Sequence, residues 1–220
     1  MGKRMTKNKL VSEIIKSYNS LILKLNSKKM ISSYNDLAYS YHHKSFYIDY
    51  SSKSEISGLL FDDNISAIDL YSKLLRNNQF CIQFVDRSIL LYSCLIHCNA
   101  LEKQRIVYIK PFGDYEETER ELGWEEYQTD EWSGRQLSFP LLIRIDYDSK
   151  AEKSDHPKCH LTLSNIKNCR IPVVSNISLE RFVEFVLHQI FNIYDIKIEK
   201  SEYSKSIRDD EEKMIHVSWK

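Results

Sequence analysis

Apolar and polar positions alternate between residues 139 and 148. Phe139, Leu141, Ile143, Ile145 and Tyr147 take the odd positions, and Pro140, Leu142, Arg144, Asp146 and Asp148 the even ones. Strand side chains change face at every residue, so this spacing predicts a half-buried strand. Its odd set points inward, and Arg144, Asp146 and Asp148 form a row on the other face. Pro140 has no N–H to give to a ladder and belongs at the strand's start or on an edge. Residues 148–155 are charged and small and read as a loop. A second strand follows, with Leu161 and Leu163 on one face and His160, Thr162 and Ser164 on the other. Residues 169–174 make a third, which Pro172 confines to an edge or ends. Ser178 is a suitable N-cap, with Glu180 in the first turn where the helix dipole favours an anion. Leu179, Phe182, Val183, Val186, Leu187 and Ile190 then recur at helical spacing, which predicts a helix over 178–192 packed on the sheet.

The rest of the chain carries the same two periods. Leu10, Val11, Ile14, Ile15, Tyr18, Leu21, Ile22 and Leu25 form a helical stripe over 8–27, with Lys9, Glu13, Lys16 and Lys24 outside it. Residues 30–42, rich in Tyr and Ser, read as irregular or helical. Two strands are expected at 45–50 and 55–61, joined by a Ser-Ser-Lys-Ser turn. A short helix follows over 64–76, with Ile68, Tyr71, Leu74 and Leu75 inward. Residues 79–84 and 88–97 read as a hairpin turning at Val85-Asp86-Arg87, and 104–110 as a further strand. Residues 193–199 and 214–219 are candidate last strands.

Composition narrows the picture. A chain of 220 residues at 42% hydrophobic can bury one sizeable core, and five Gly with four Pro leave little for long linkers. Thirty-one basic residues balance thirty-one acidic ones, so coating of nucleic acid by bulk charge is not indicated, although a local patch would suffice for contact. Five cysteines, several in apolar runs, fit a reduced, cytoplasmic protein. The basic start has no apolar core of a signal peptide, and no apolar run approaches the roughly 20 residues that cross a bilayer. Within 114–135 lies a strongly acidic arm with Trp124, Tyr127 and Trp132 interleaved. Such a charge run is commonly a solvated arm, but its aromatic residues suit a protein contact.

One cluster holds the candidate chemistry: Arg144, Asp146, Asp148, His156, His160 and Arg170. If the strands at 139 and 158 are neighbours, Asp146 lies near His160. A His with a carboxylate and arginines can do acid–base work or bind phosphate. The ordinary alternative is a polar network that fixes the 148–158 loop to the sheet. Asp148-Ser149-Lys150 fits the D-x-K tail of a restriction-nuclease core, with Asp114 or Asp130 needed as the earlier acid. The spacing of His156 and His160 suits zinc only on a helix, and Pro157 argues against one there. Cys94, His97, Cys98, Cys159 and Cys169 lack the paired spacing of a structural zinc site. Cys159 and His160 adjoin in a strand and therefore face opposite ways, which prevents them acting as a nucleophile and base. No phosphate-binding glycine loop, dinucleotide fingerprint or nucleophile elbow is present. No cofactor and no metal are expected.

His156-Pro157-x-x-His160-Leu161, followed by Arg170-Ile171-Pro172 and the helix, resembles a bacterial domain-of-unknown-function family marked by H-P-x-x-H-L…R-I-P, with an aromatic-Asp strand just ahead. The resemblance implies a setting in anti-phage defence or toxin–antitoxin gene clusters, and a place to look for a site. It carries no reaction.

These readings converge on a single α+β domain over 1–220, a mainly antiparallel sheet flanked by helices at 8–27, 64–76 and 178–192. The first functional expectation is a non-enzymatic partner or recognition subunit of a defence or toxin–antitoxin type complex, bound to a protein encoded by an adjacent gene and not to a membrane. Arg144, Arg170, Trp124, Tyr127 and Trp132 are its candidate binding residues. The alternative is a nuclease-like or phosphate-handling enzyme using Asp146, Asp148, His156 and His160.

Overall fold

The computed structural model describes residues 8–50, 67–111, 141–151, 156–163, 169–196, 209, 213 and 216–218. Within them lie three helices and nine strands: α1 (Lys9–Ser27), β1 (Ile31–Tyr34), β2 (Ala38–His42), β3 (Ser45–Asp49), α2 (Ala67–Arg76), β4 (Ile82–Phe84), β5 (Ile89–His97), β6 (Ala100–Lys110), β7 (Leu141–Asp148), β8 (Cys159–Leu163), β9 (Ile171–Pro172) and α3 (Leu179–Gln189). One sheet contains all nine strands, in the order β1-β4-β5-β6-β7-β8-β9, and the β2–β3 hairpin pairs with the far half of β5. Every strand pairing is antiparallel. The fold is the expected α+β arrangement. The expected strand at 55–61 and the acidic arm fall outside the described residues.

The two-residue turns explain much of this meander. His43 and Lys44 join β2 to β3, and Cys98 and Asn99 join β5 to β6, all four with positive φ between 47° and 67°. Positive φ at both central residues belongs to the turn whose twist matches that of antiparallel strands. Residues 30–42 accordingly form strands β1 and β2, not the irregular or helical segment their composition suggested. Tyr34, Tyr39 and Tyr41 are favourable strand residues, and the tight turn after His42 brings β2 onto β3. The same turn chemistry starts β6 at Ala100, four residues before the expected strand.

The sheet is buried on both faces near its centre. Val11, Tyr18, Leu21, Ile22 and Leu25 of α1, with Leu179, Phe182, Val183, Val186 and Leu187 of α3, cover one face. There they meet Tyr92, Cys94, Ile96, Ile106, Tyr108, Ile143 and Ile145 of the sheet. On the other face Leu70, Tyr71 and Leu74 of α2 cover Ile89, Leu91, Val107, Ile109 and Leu142. Leu142 therefore departs from the simple inward–outward pattern, being buried on the face that also carries Arg144 and Asp146. Ser178 caps α3 by accepting from the backbone N–H of Arg181, as expected.

Two further expectations concern the C-terminal end. Residues 193–196 form no strand, although Ile196 is buried in the main core. Of the segment expected as a strand at 214–219 only 216–218 are described, and there Val217 makes a parallel bridge to Val173 beside β9. No helix among the described residues is long and apolar enough to cross a membrane.

Asn8 ties α1 to the sheet. Its side-chain oxygen accepts from the N–H of Leu10 and Val11, and its Nδ2 donates to Asn99 Oδ1 at 2.8 Å. Asn8→Ala is expected to cost about 1–2 kcal/mol in urea unfolding, the range of a lost N-cap. Asn8→Asp keeps the cap acceptor and loses only the donor to Asn99, so it should cost less.

Candidate functional site

Register brings the polar candidates together. In β7 Asp146 lies directly between Arg105 of β6 and His160 of β8, and Arg144 lies between Val107 and Thr162. Residues paired this way share a face, so Ser93, Arg105, Asp146, His160 and Pro172 make one row across β5 to β9, which Asp49 of β3 continues. The row borders the apolar patch under α2: Arg144 separates it from Leu142, and Arg105 is two residues from Val107.

Asp146 is the centre of the charges. Arg105 Nε lies 2.5 Å from its Oδ1, and Arg144 Nε lies 2.8 Å from its Oδ2, close enough for an ion pair though not aligned as a hydrogen bond. The three side chains retain only 13–23% of their exposure. In that setting the ion pairs are screened less than they would be at an open surface. Burial pulls the Arg144 guanidinium below its ordinary value, while Asp146 acts against that pull. Thr162, opposite Arg144, has a buried hydroxyl with no hydrogen-bond partner among the described residues.

His160 is only 3% exposed. Its Nδ1 is 3.2 Å from the Pro157 carbonyl oxygen, and its Nε2 is 3.7 Å from Asp146 Oδ2. A neutral imidazole has one N–H, and the shorter contact assigns it to Nδ1, donating to Pro157. Burial lowers the His160 pKa from about 6.5, against the opposing pull of Asp146 and the Pro157 carbonyl. The His156 ring meets His160 edge to face at 5.0 Å, and the charge of the exposed Arg170 reaches both His160 and Arg144.

Asp148 belongs to a separate pair. It lies opposite Lys103 in register, with Lys103 Nζ 2.9 Å from its Oδ2. Burial would raise the Asp148 carboxyl, but the Lys103 ammonium and the Lys150 backbone N–H more than offset it and hold it below the usual value. Lys150 reaches Glu102 at 2.8 Å, so the Asp148 and Lys150 side chains engage neighbouring residues of β6 separately. That is not the shared focus a D-x-K nuclease site requires. Asp114 and Asp130 lie outside the described residues, as do Trp124, Tyr127 and Trp132.

Cys159 is 2% exposed in the main core, on the opposite face from His160, and burial pushes its thiol up to about 12. It is therefore not a thiolate near neutral pH. Among the described residues no three His, Cys, Asp or Glu side chains are grouped as a cation would need. Of the six residues the sequence groups, Arg144, Asp146, His156, His160 and Arg170 lie around one site while Asp148 pairs with Lys103, and Arg105 is missed. That arginine sits in the strand expected at 104–110, but the 30 residues between Lys110 and Leu141 hide the pairing of β6 with β7.

The family model described as an uncharacterized conserved protein (DUF2290) matches residues 30–219, and the chain belongs to that family. No curated protein and no solved structure matches the chain.

Two measurements test this geometry. Asp146→Asn removes the counter-charge of two guanidinium groups. It should cost about 2 kcal/mol in denaturant unfolding, below the roughly 3–5 kcal/mol of a fully buried pair because the side chains keep some exposure. His160 has a lowered folded pKa, so below about pH 6.5 the unfolded chain binds its proton first. The stability this residue contributes is whole above that pH and falls as pH drops toward the folded value. Melting curves between pH 8 and about 5 should show a shallower acid loss for His160→Gln than for the unaltered chain.

Proposed function

We propose that this DUF2290 member is a non-enzymatic recognition subunit of a bacterial anti-phage defence or toxin–antitoxin type complex, working with a protein encoded by an adjacent gene. The supporting observation is the closed state of the polar cluster. The Asp146 carboxylate is engaged by Arg105 and Arg144, and the His160 ring is nearly inaccessible and faces the Pro157 carbonyl. A general base needs a carboxylate or imidazole within reach of a substrate proton, and a nucleophile needs an accessible attacking atom. Here those groups satisfy one another and hold β6, β7 and β8 together. The sequence support is the H-P-x-x-H-L…R-I-P pattern and the acidic, aromatic run from Asp114 to Trp132, whose Trp and Tyr suit an interface anchor.

The test is co-purification of the tagged chain with the product of its neighbouring gene. The expected result is a stoichiometric complex that the Trp124→Ala/Trp132→Ala variant no longer forms while its circular dichroism is unchanged, and that His160→Gln still forms. The reading fails if the isolated chain cleaves DNA or RNA with Mg²⁺ or Mn²⁺ and His160→Ala or Asp146→Asn abolishes cleavage with the fold retained. That result would establish the nuclease-like or phosphate-handling alternative.

A further inference from the structure

The sheet ends in three edge strands among the described residues, and they are protected very unequally. Unpaired strand edges invite pairing with other chains, and proteins blunt them with short strands, bulges, proline or charge. The β1 edge has a register break between Ile31 and Ser33. The β9 edge is two residues long and contains Pro172, and the next residue, Val173, bridges to Val217. The β2 edge has none of these devices. Ala38-Tyr39-Ser40-Tyr41-His42 contains no proline, no glycine and no Asp, Glu, Lys or Arg, pairs in regular register with β3, and is exposed at all five positions.

The hairpin geometry shows which backbone groups face outward. A two-residue turn makes His42 and Ser45 a hydrogen-bonded pair, so Ala38, Ser40 and His42 direct their N–H and C=O groups toward β3. Tyr39 and Tyr41 then direct theirs away from the sheet. Their rings lie on the face of the main core, 6.2 Å and 4.7 Å from the Phe46 ring, yet remain 48% and 47% exposed. Among the described residues no other strand pairs with these outward groups, and the edge carries an apolar ridge continuous with the core.

We propose that β2 pairs with β2 of a second copy of this chain, antiparallel about a two-fold axis at Ser40. A two-fold interface must be self-complementary, and this register is. Tyr39 and Tyr41 of one copy lie opposite Tyr41 and Tyr39 of the other, and these are the residues with outward N–H and C=O groups, so all of those groups find partners. The four tyrosine rings meet over two phenylalanines, an arrangement that aromatic cross-strand pairs favour. The two nine-stranded sheets become one continuous sheet, and its most exposed edge disappears.

Sedimentation equilibrium of the full chain across the micromolar range tests the pairing. The expected result is a dimer, and Tyr39→Lys/Tyr41→Lys is expected to weaken it by roughly tenfold or more, because like charges then face each other across the pair. These positions are exposed, so the fold should survive, and circular dichroism checks that. The register has its own test. Ser40 faces Ser40 across a non-hydrogen-bonded pair, where Cα atoms lie about 4.5 Å apart, within disulfide reach. In a Cys98→Ser background, mild oxidation should crosslink Ser40→Cys into dimers and leave Ser32→Cys on β1 monomeric. A monomeric chain throughout, a dimer indifferent to the two lysines, or no crosslink at position 40 overturns the proposal. Pairing of β2 with a different polypeptide would appear as the first of these results.

Discussion

The structure depends on the register of β7 between β6 and β8. A strand's side chains alternate with a period of two, so a slip of one residue would exchange its faces. Ile143 and Ile145 would then leave the layer built by α1 and α3, and Arg144 and Asp146 would enter it. That cost holds Ile145 inward. The same register sets Arg105, Asp146 and His160 in line on the other face. Apolar burial on one face therefore positions the charges on the other.

The second face is divided along its length. α2 covers the end that carries Ile89, Ile109 and Leu142, and the remaining end carries Lys103, Arg105, Asp146, Asp148 and His160. Arg144 lies at the boundary. Such a boundary is where polar side chains lose part of their hydration, which is why burial pulls both Arg144 and His160 from their ordinary values. Asp146 answers this loss as the shared counter-charge of Arg105 and Arg144.

Local pattern alone makes the strong elements legible. The stripe of α3 with its Ser178 cap, the stripe of α1, the β4–β5 hairpin and the alternation of β7 all follow from periods of 3.6 and 2 within short windows. The approach of Asp146 to His160 is legible too, because it needs only two strands joined by a short loop. Arg105 is not, since its contact with Asp146 spans a long connection and no local pattern records which strands become neighbours across it. β1 and β2 are hidden differently. Alternating Tyr and Ser leaves the hydrophobic period weak on an exposed edge, and non-glycine residues at positive φ give no glycine signal for the turn.

The central claim is that Asp146 is a shared counter-ion inside the sheet face and not a carboxylate held open for a substrate. A double-mutant cycle on the unfolding free energies of Arg105→Gln, Asp146→Asn and the double variant measures this directly. A coupling of about 1–3 kcal/mol, as expected for side chains in one ion-pair network, is the result this account predicts. Additive losses, with a coupling near zero, would contradict it.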